Sequence, residues 1–287
     1  MQREVFLVKA FTKDKNQGNP AGIVVNADDL SLDQMVAISA DLGFSESAFV
    51  QKSAAANFRV RFISPKEEVN FCGHATVATL HTLTEQGILR FDGVTEVEVN
   101  QETKAGILPV FCRNDGYIVM VQNKPEFGKI EDNRALIARL LSISETEILN
   151  YPIQPVSTAA SKLMIPISSL TILQSIKPDL KGILEYSKRT GTRGFYPFTP
   201  QTLEGTSDFH ARQFNPLIGI DEDPITGVAA GALGSYVVEY GLSNKKSFVI
   251  EQGFGMGKGG KMYVDVSNGV KVGGYAVTFG KKEFKFS

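Results

Sequence analysis

Two stretches of this chain, about 150 residues apart, repeat each other in order. Phe58, Arg61 and Pro65 recur as Phe209, Arg212 and Pro216 at one spacing of 151. Three loop residues later, at a spacing of 154, Gly73, Ala75, Ala78, Glu85 and Gly87 recur as Gly227, Ala229, Ala232, Glu239 and Gly241. A fainter upstream echo sets Leu32–Asp33 through Phe49 against Pro178–Asp179 through Phe195 at a spacing of 146. A self-similar chain of this kind folds as two units of one architecture. A length of 287 residues suits two domains.

The repeated segments also dictate what each unit looks like. Residues 71–84 and 224–238 contain no Asp, Glu, Lys or Arg and are crowded with Ala, Gly, Ser and Thr. A helix without a polar face is buried all round, and small side chains let surrounding strands approach closely. Each helix opens at a glycine after a turn-like stretch, Glu68–Cys72 or Asp221–Thr226, and stops at Gly87 or Gly241. Strands are expected at 5–11, 21–25, 94–99, 107–112, 117–122, 163–167, 248–252, 262–266 and 270–279, with amphipathic outer helices at 32–42 and 135–141. The fold class is therefore α+β, two pseudo-symmetric domains, each a curled, mostly antiparallel, barrel-like sheet around a central helix. The charged stretch 126–150 marks the boundary, giving halves 1–125, completed by a C-terminal strand at 278–287, and 126–277.

Charge and cysteine content narrow the partners. Thirty basic residues against 31 acidic ones leave a net charge of −1, which provides no basic field for nucleic acid or anionic lipid. Two cysteines, outside any zinc spacing, build no disulfide framework. The segment MQREVFL lacks an apolar signal region, and no stretch approaches the ~18 apolar residues of a membrane span. These features predict a cytoplasmic protein acting on small molecules, with both a monomer and a homodimer left open.

Chemistry-bearing residues cluster at the two buried helix starts, where unpaired N–H groups and partial positive charge suit a carboxylate or phosphate. Glu67, Glu68, Cys72 and His74 stand at the first, Asp221, Glu222 and Asp223 at the second. His74 serves as a functional group or a structural cap, Asp223 as a functional group or the N-cap before Pro224. Cys72 is either a small buried hydrophobe or a thiolate stabilised by the helix start. Glu46, within Gly43–Val50, is an exposed strand glutamate or a carboxylate with work to do. Gly255–Gly260 matches GxGxxG, but a strand-like run follows where a dinucleotide site needs a helix. His74 and His81 lack a third ligand at metal spacing, so no metal site is read.

These residues resemble the PhzF (phenazine biosynthesis) family, whose fold is that of diaminopimelate epimerase. The signatures are Gly18-Asn-Pro-Ala-Gly22, Ser45-Glu-Ser-Ala-Phe-Val50, Phe62-Ile-Ser-Pro65, Phe71-Cys-Gly-His-Ala-Thr76 and Glu222-Asp-Pro-Ile-Thr-Gly227. They occur in order over nearly the whole chain. The resemblance implies an active site in the cleft between the domains and isomerisation by proton transfer without cofactor or metal. It makes Glu46 the general acid/base, with His74 and Asp223 positioning the substrate and helping to move protons. Asn19, Cys72, Gly73, Thr226, Gly227 and Val228 become substrate-binding positions, and the substrate a small cyclic or amino carboxylate. Val228 stands where the phenazine enzyme has a serine, and losing that hydroxyl removes a hydrogen bond of ~1 kcal/mol. The family's biosynthetic chemistry is thus implied, but not the phenazine intermediate as substrate. Cys72 occupies the place of the epimerases' first thiol, and Thr226 that of the second. An epimerase using Cys72 and a non-catalytic carboxylate binder are the competing readings.

Overall fold

A computed structural model describes residues 2–286. The chain divides into two compact units, residues 1–120 with 273–287, and residues 121–272. The sequence placed these divisions at 125/126 and 277/278.

In the first unit the sheet runs from the C-terminal strand Ala276–Lys285 through β1 (Gln2–Ala10), β2 (Asn19–Val24), β3 (Ser47–Gln51) and β4 (Phe58–Ile63). Neighbours are antiparallel except β2 and β3, which are parallel. Strand β4 then pairs with the short β5 (Glu68–Val69) and, in parallel, with β6 (Glu96–Thr103), which continues antiparallel into β7 (Gly106–Arg113). Alternation along each strand assigns the two faces. Phe6, Val8, Ala21, Ile23, Ala48, Val50, Val60 and Phe62 face the central helix α2 (Gly73–Glu85), meeting its Ala75, Ala78 and Leu83. Val5, Val24, Phe49 and Ile63 face the other way, onto Met35 and Ile38 of α1 (Leu32–Leu42).

Helix α2 tolerates four threonines because its own backbone satisfies their hydroxyls. Thr76, Thr79, Thr82 and Thr84 donate to the carbonyls of Cys72, Ala75, Ala78 and Leu80 at 2.7–2.9 Å. A buried hydroxyl without such a bond would cost about 1–3 kcal/mol.

The second unit repeats the plan. Strands Gln154–Ser157, Lys162–Pro166, Phe195–Thr199 and Phe209–Ala211 form its sheet, again with one parallel neighbour pair, 162–166 with 195–199. Strand 209–211 pairs in parallel with Ser247–Gln252, as β4 does with β6. Its outer helices are α3 (Arg134–Leu141), α4 (Leu170–Ser175) and α5 (Leu180–Thr190), packed on Leu163, Ile165, Phe195 and Phe214. Its central helix α6 (Gly227–Glu239) is buried at every position except Val228, Val238 and Glu239. Helices α2 and α6 are both 13 residues long and end alike. The C-cap N–H groups of Gln86 and Tyr240 each bond two carbonyls of the last turn, and Gly87 and Gly241 follow with φ of 66° and 64°.

The upstream echo is also real, but slipped by two residues. Ser31 caps α1 and Asp179 caps α5, Gly43 and Gly191 close them in the left-handed region, and β3 and strand 195–199 begin at 47 and 195. The structural spacing is thus 148, not 146, because caps and strand starts fix the register while the sequence match rested on common residues. The expected strand 270–279 is two, Val270–Gly274 and Ala276–Lys285, with Tyr275 between them. Helices α4 and α5 were not anticipated. Among the described residues no helix is long and apolar enough to cross a membrane.

Close strand approach to α6 gives a stability test. A Cβ on Gly234 would lie 2.6 Å from Val264 Cγ1, whereas one on Gly205 meets nothing within 4 Å. Gly234→Val should lower the unfolding free energy by about 1–3 kcal/mol, and Gly205→Ala should stay within about 0.5 kcal/mol, both read from urea unfolding.

Candidate functional site

In the first unit, folding brings together three residues that sequence leaves apart. Glu46 is the residue before β3, which lies beside β2 and β4. Cys72 is the N-cap of α2 and His74 lies in its first turn. Cys72 Sγ is 3.3 Å from His74 Nδ1 and 3.9 Å from Nε2, and Nε2 is 3.7 Å from Glu46 Oε2. Cys72 and His74 are each 8% exposed, while the Glu46 side chain keeps 20% of its surface. The carboxylate is therefore the member that solvent or a ligand reaches. Donor atoms of all three lie within 4.8 Å of one another. Glu46 joins this group from a distant loop. His81 is not part of the group and pairs instead with Glu85 at 3.2 Å.

The helix start beside them is free of side-chain capping. Cys72 makes no cap hydrogen bond, so the first-turn N–H groups at Gly73 and His74 point outward without a capping oxygen. The turn before it is fixed by Arg61, whose Nε and Nη2 donate to Glu68 Oε1 and Oε2 at 3.0 and 2.7 Å. The guanidinium holds the Glu68 carboxyl below its ordinary range. Asn19, another expected substrate position, is buried at the start of β2 opposite Ala10.

The second unit carries the same scaffold with different groups on it. Arg212 Nε and Nη2 donate to the two carboxylate oxygens of Glu222, each at 2.8 Å, reproducing the Arg61–Glu68 fork. Thr226 is the N-cap of α6 and likewise makes no cap bond. Its hydroxyl instead donates to Asp223 Oδ2 at 2.6 Å, and the Ile225 N–H reaches Asp223 Oδ1 at 3.3 Å. Asp223 thus holds the turn preceding α6 and is not the helix N-cap. The Asp223 carbonyl accepts from Gln252 Nε2 at 2.8 Å, and Gln252 Oε1 accepts from the fully buried Tyr196 hydroxyl at 2.9 Å. Gln122 Nε2 donates to the Gly227 carbonyl at 3.0 Å, and Thr158 Oγ1 to Gln122 Oε1 and the Val228 carbonyl at 2.6 and 3.2 Å.

Sequence reading missed Gln122, Thr158, Tyr196, Gln252 and both Arg–Glu forks. Only the forks left a trace, since Glu68 and Glu222 stand at the spacing of 154 that the two helices share.

The two helix starts differ where it matters chemically. By the structural register, Thr226 replaces Cys72, Val228 replaces His74, and Gly194 takes the place of Glu46. Gly194 has φ of +104°, and a Cβ there would sit 2.5 Å from the Phe214 carbonyl oxygen. No base can be mounted at that position. The acid/base set of the first unit therefore has no copy in the second.

The second unit does contain one buried amine, Lys162, 3% exposed, whose Nζ donates to the Arg193 carbonyl at 2.6 Å. Burial lowers its pKa from 10.5 to about 8, against the opposing attraction of Asp223. The unfolded chain keeps this proton up to 10.5, so between about 8 and 10.5 the unfolded state binds more protons and stability rises with pH. Lys162→Met should flatten that rise relative to the parent, as read from thermal midpoints on either side of the window. An unchanged profile would place the amine in water.

The sequence pattern described as phenazine biosynthesis-like protein, PhzC-PhzF, matches residues 8–282. The protein named uncharacterized isomerase YfhB of Bacillus subtilis (strain 168) is 36% identical over 271 residues, covering 93% of this chain and 91% of its own. The crystal structure of a Bacillus anthracis phenazine biosynthesis protein of the PhzF family superposes with a TM-score of 0.90 at 30% identity, covering 100% of both chains. A probable proline racemase from Agrobacterium radiobacter K84 shares the fold, with a TM-score of 0.64 at 10% identity, 99% of this chain and 93% of its own.

Proposed function

The chain belongs to the phenazine biosynthesis-like (PhzC-PhzF) family and is an isomerase, and on that premise we propose that it shifts a proton within a small cyclic or amino carboxylate, with Glu46 as the general acid/base. The observation that carries this reading is the placement of Glu46, partly open, 3.7 Å from the buried His74 at the uncapped start of α2. The N–H groups of Gly73 and His74 suit the substrate's carboxylate, because they carry partial positive charge and lack a capping acceptor. Holding that group there makes the adjacent C–H more acidic. Glu46 removes the proton, the electron pair delocalises into the substrate's π-system, and protonated Glu46 returns the proton to another carbon on the same face. His74 orients the carboxylate of Glu46, and Cys72 packs against the imidazole. For the second unit the assignment is limited to recognition: Asp223 and the N–H groups of Gly227 and Val228 bind substrate, as the family resemblance implies.

Gly194 and Thr226 at the second unit's positions matching Glu46 and Cys72 support a one-carboxylate mechanism. Racemisation by two thiols needs a group on each face of the stereocentre, whereas the counterpart of Cys72 is Thr226. The contact between Cys72 Sγ and His74 Nδ1, 3.3 Å, nevertheless sets a ring nitrogen beside the thiol, so the epimerase reading is kept as the alternative the experiment must separate.

Solvent deuterium exchange into a panel of cyclic and amino carboxylates is the test. The parent protein should exchange the proton of at least one. Glu46→Gln should lose at least about 100-fold in rate while ligand binding stays within about tenfold, because the amide keeps size and hydrogen bonding but is no base. Cys72→Ser should do much less. Inactive Cys72→Ser with near-normal Glu46→Gln would make the chemistry thiol-based. Binding without exchange by the parent would make the protein a carboxylate binder.

A further inference from the structure

We propose that Lys162 is a positioning residue of the second unit, whose buried ammonium offsets the charge of Asp223 so that the N–H groups at the start of α6 can hold a substrate carboxylate. The strand register puts the amine at this place. Leu163 stands opposite Phe195, so Lys162 is level with Gly194, as Ala21 is level with Glu46 in the first unit. Lys162 pairs with Val156 as Ala21 pairs with Val8, and Ala21 and Val8 both face the central helix α2. The duplicated position thus turns its side chain toward α6. Where the first unit mounts a carboxylate on one strand entry, the second mounts an amine on the neighbouring strand.

Asp223 reaches the same end of the sheet by another route. It ends the strand Ile220–Asp223, opposite Gln213 of Gln213–Asn215, and the adjacent Phe214 pairs with Phe195. Its carboxylate attracts the Lys162 ammonium, which is buried and donates to the Arg193 carbonyl at 2.6 Å. The surrounding elements bring other charged groups, and each is opposed or committed. Arg193 repels the amine. Glu222 is bound by Arg212, and Glu251 of strand 247–252 by His210 at 2.9 Å. Burial holds the Tyr196 hydroxyl well above its ordinary range, so it stays neutral. The helix start itself, Gly227 and Val228, carries no charged side chain.

A second carboxylate entering beside Asp223 meets a like charge, which the partial positive charge of a helix start does not cancel. One ammonium does. Burial lowers the pKa of this amine to about 8, so the compensating charge is present below that pH and lost above it. Carboxylate binding at the second unit therefore weakens as pH rises through about 8. This consequence rests on the reading of Asp223, Gly227 and Val228 as substrate-binding groups, and not on Glu46 as the base.

Two measurements on the full-length protein test this, with benzoate, a small cyclic carboxylate, as the binding probe. In isotope-labelled protein without benzoate, the amide resonances of Gly227 and Val228 should shift in one step with a midpoint near pH 8. The step should be absent from Lys162→Met, with far-ultraviolet circular dichroism checking its fold. Benzoate affinity of the parent should fall at least about tenfold between about pH 7 and about pH 9.5, the least that an uncompensated like charge costs. Lys162→Met should bind benzoate with the weaker affinity at both pH values. A lysine that only filled space would leave the pH dependence in place when replaced. No step at these amides in the parent, a step that survives Lys162→Met, benzoate affinity independent of pH, or no benzoate binding by the parent at about pH 7 would overturn the proposal. Lys162-dependent benzoate binding together with deuterium exchange indifferent to Glu46→Gln would sink the isomerase mechanism and leave this assignment. Glu46-dependent exchange with benzoate binding indifferent to Lys162 would do the reverse.

Discussion

A helix buried on all sides must still satisfy the N–H groups of its first turn, and in α2 and α6 no N-cap side chain does so. An oxygen from Ser, Thr or Asp in that place would stabilise the helix by ~1 kcal/mol and would also occupy the position a ligand carboxylate needs. Cys72 leaves it open because a thiol is a poor acceptor, and Thr226 because its hydroxyl is committed to Asp223. The surrounding structure then has to hold each helix start without the cap. It does so with a bidentate Arg–Glu fork in each unit, which fixes the turn before the helix from β4 in the first and from the residue that follows strand 209–211 in the second. Donors aimed at where charge will sit, with no reorganisation required, are the usual source of electrostatic catalysis.

Duplication supplied the scaffold twice and the chemistry once. Helix lengths, caps, strand pairings and forks all recur, but the positions that could carry protons do not. The contrast between Glu46 and Gly194 is the clearest, because the left-handed backbone and the nearby Phe214 carbonyl exclude any side chain from the second position. Repeat symmetry therefore describes how the protein folds, while the departures from it mark the groups to which the proposed chemistry is assigned.

Much of this architecture was legible because burial leaves a compositional mark. Fourteen or more residues without a charge, closed by glycine, define a central helix whatever its surroundings. Helix α1 was legible from its period, but α5 was not, since Gly182 interrupts its pattern and only its correspondence to α1 hinted at it. The slip from 148 to 146 arose from matching common residues where caps, not identities, set the register. Glu46 and His74 were legible singly, through motifs, and only the family resemblance implied that they meet, because the strand register that joins residue 46 to the start of α2 is a tertiary fact. The support given by Gln252, Gln122 and Thr158 left no sequence signal, since single polar residues in strands and loops resemble solvated ones.

The central claim is that the Glu46 carboxylate, and not the Cys72 thiol, meets the carbon that loses the proton. A crystal structure with a bound small cyclic carboxylate tests this most directly. The account predicts the ligand carboxylate on the N–H groups of Gly73 and His74, with a Glu46 oxygen about 3–3.5 Å from the reacting carbon, the separation of a near-attack arrangement. Cys72 Sγ in that place, with Glu46 turned away from the ligand, would contradict it.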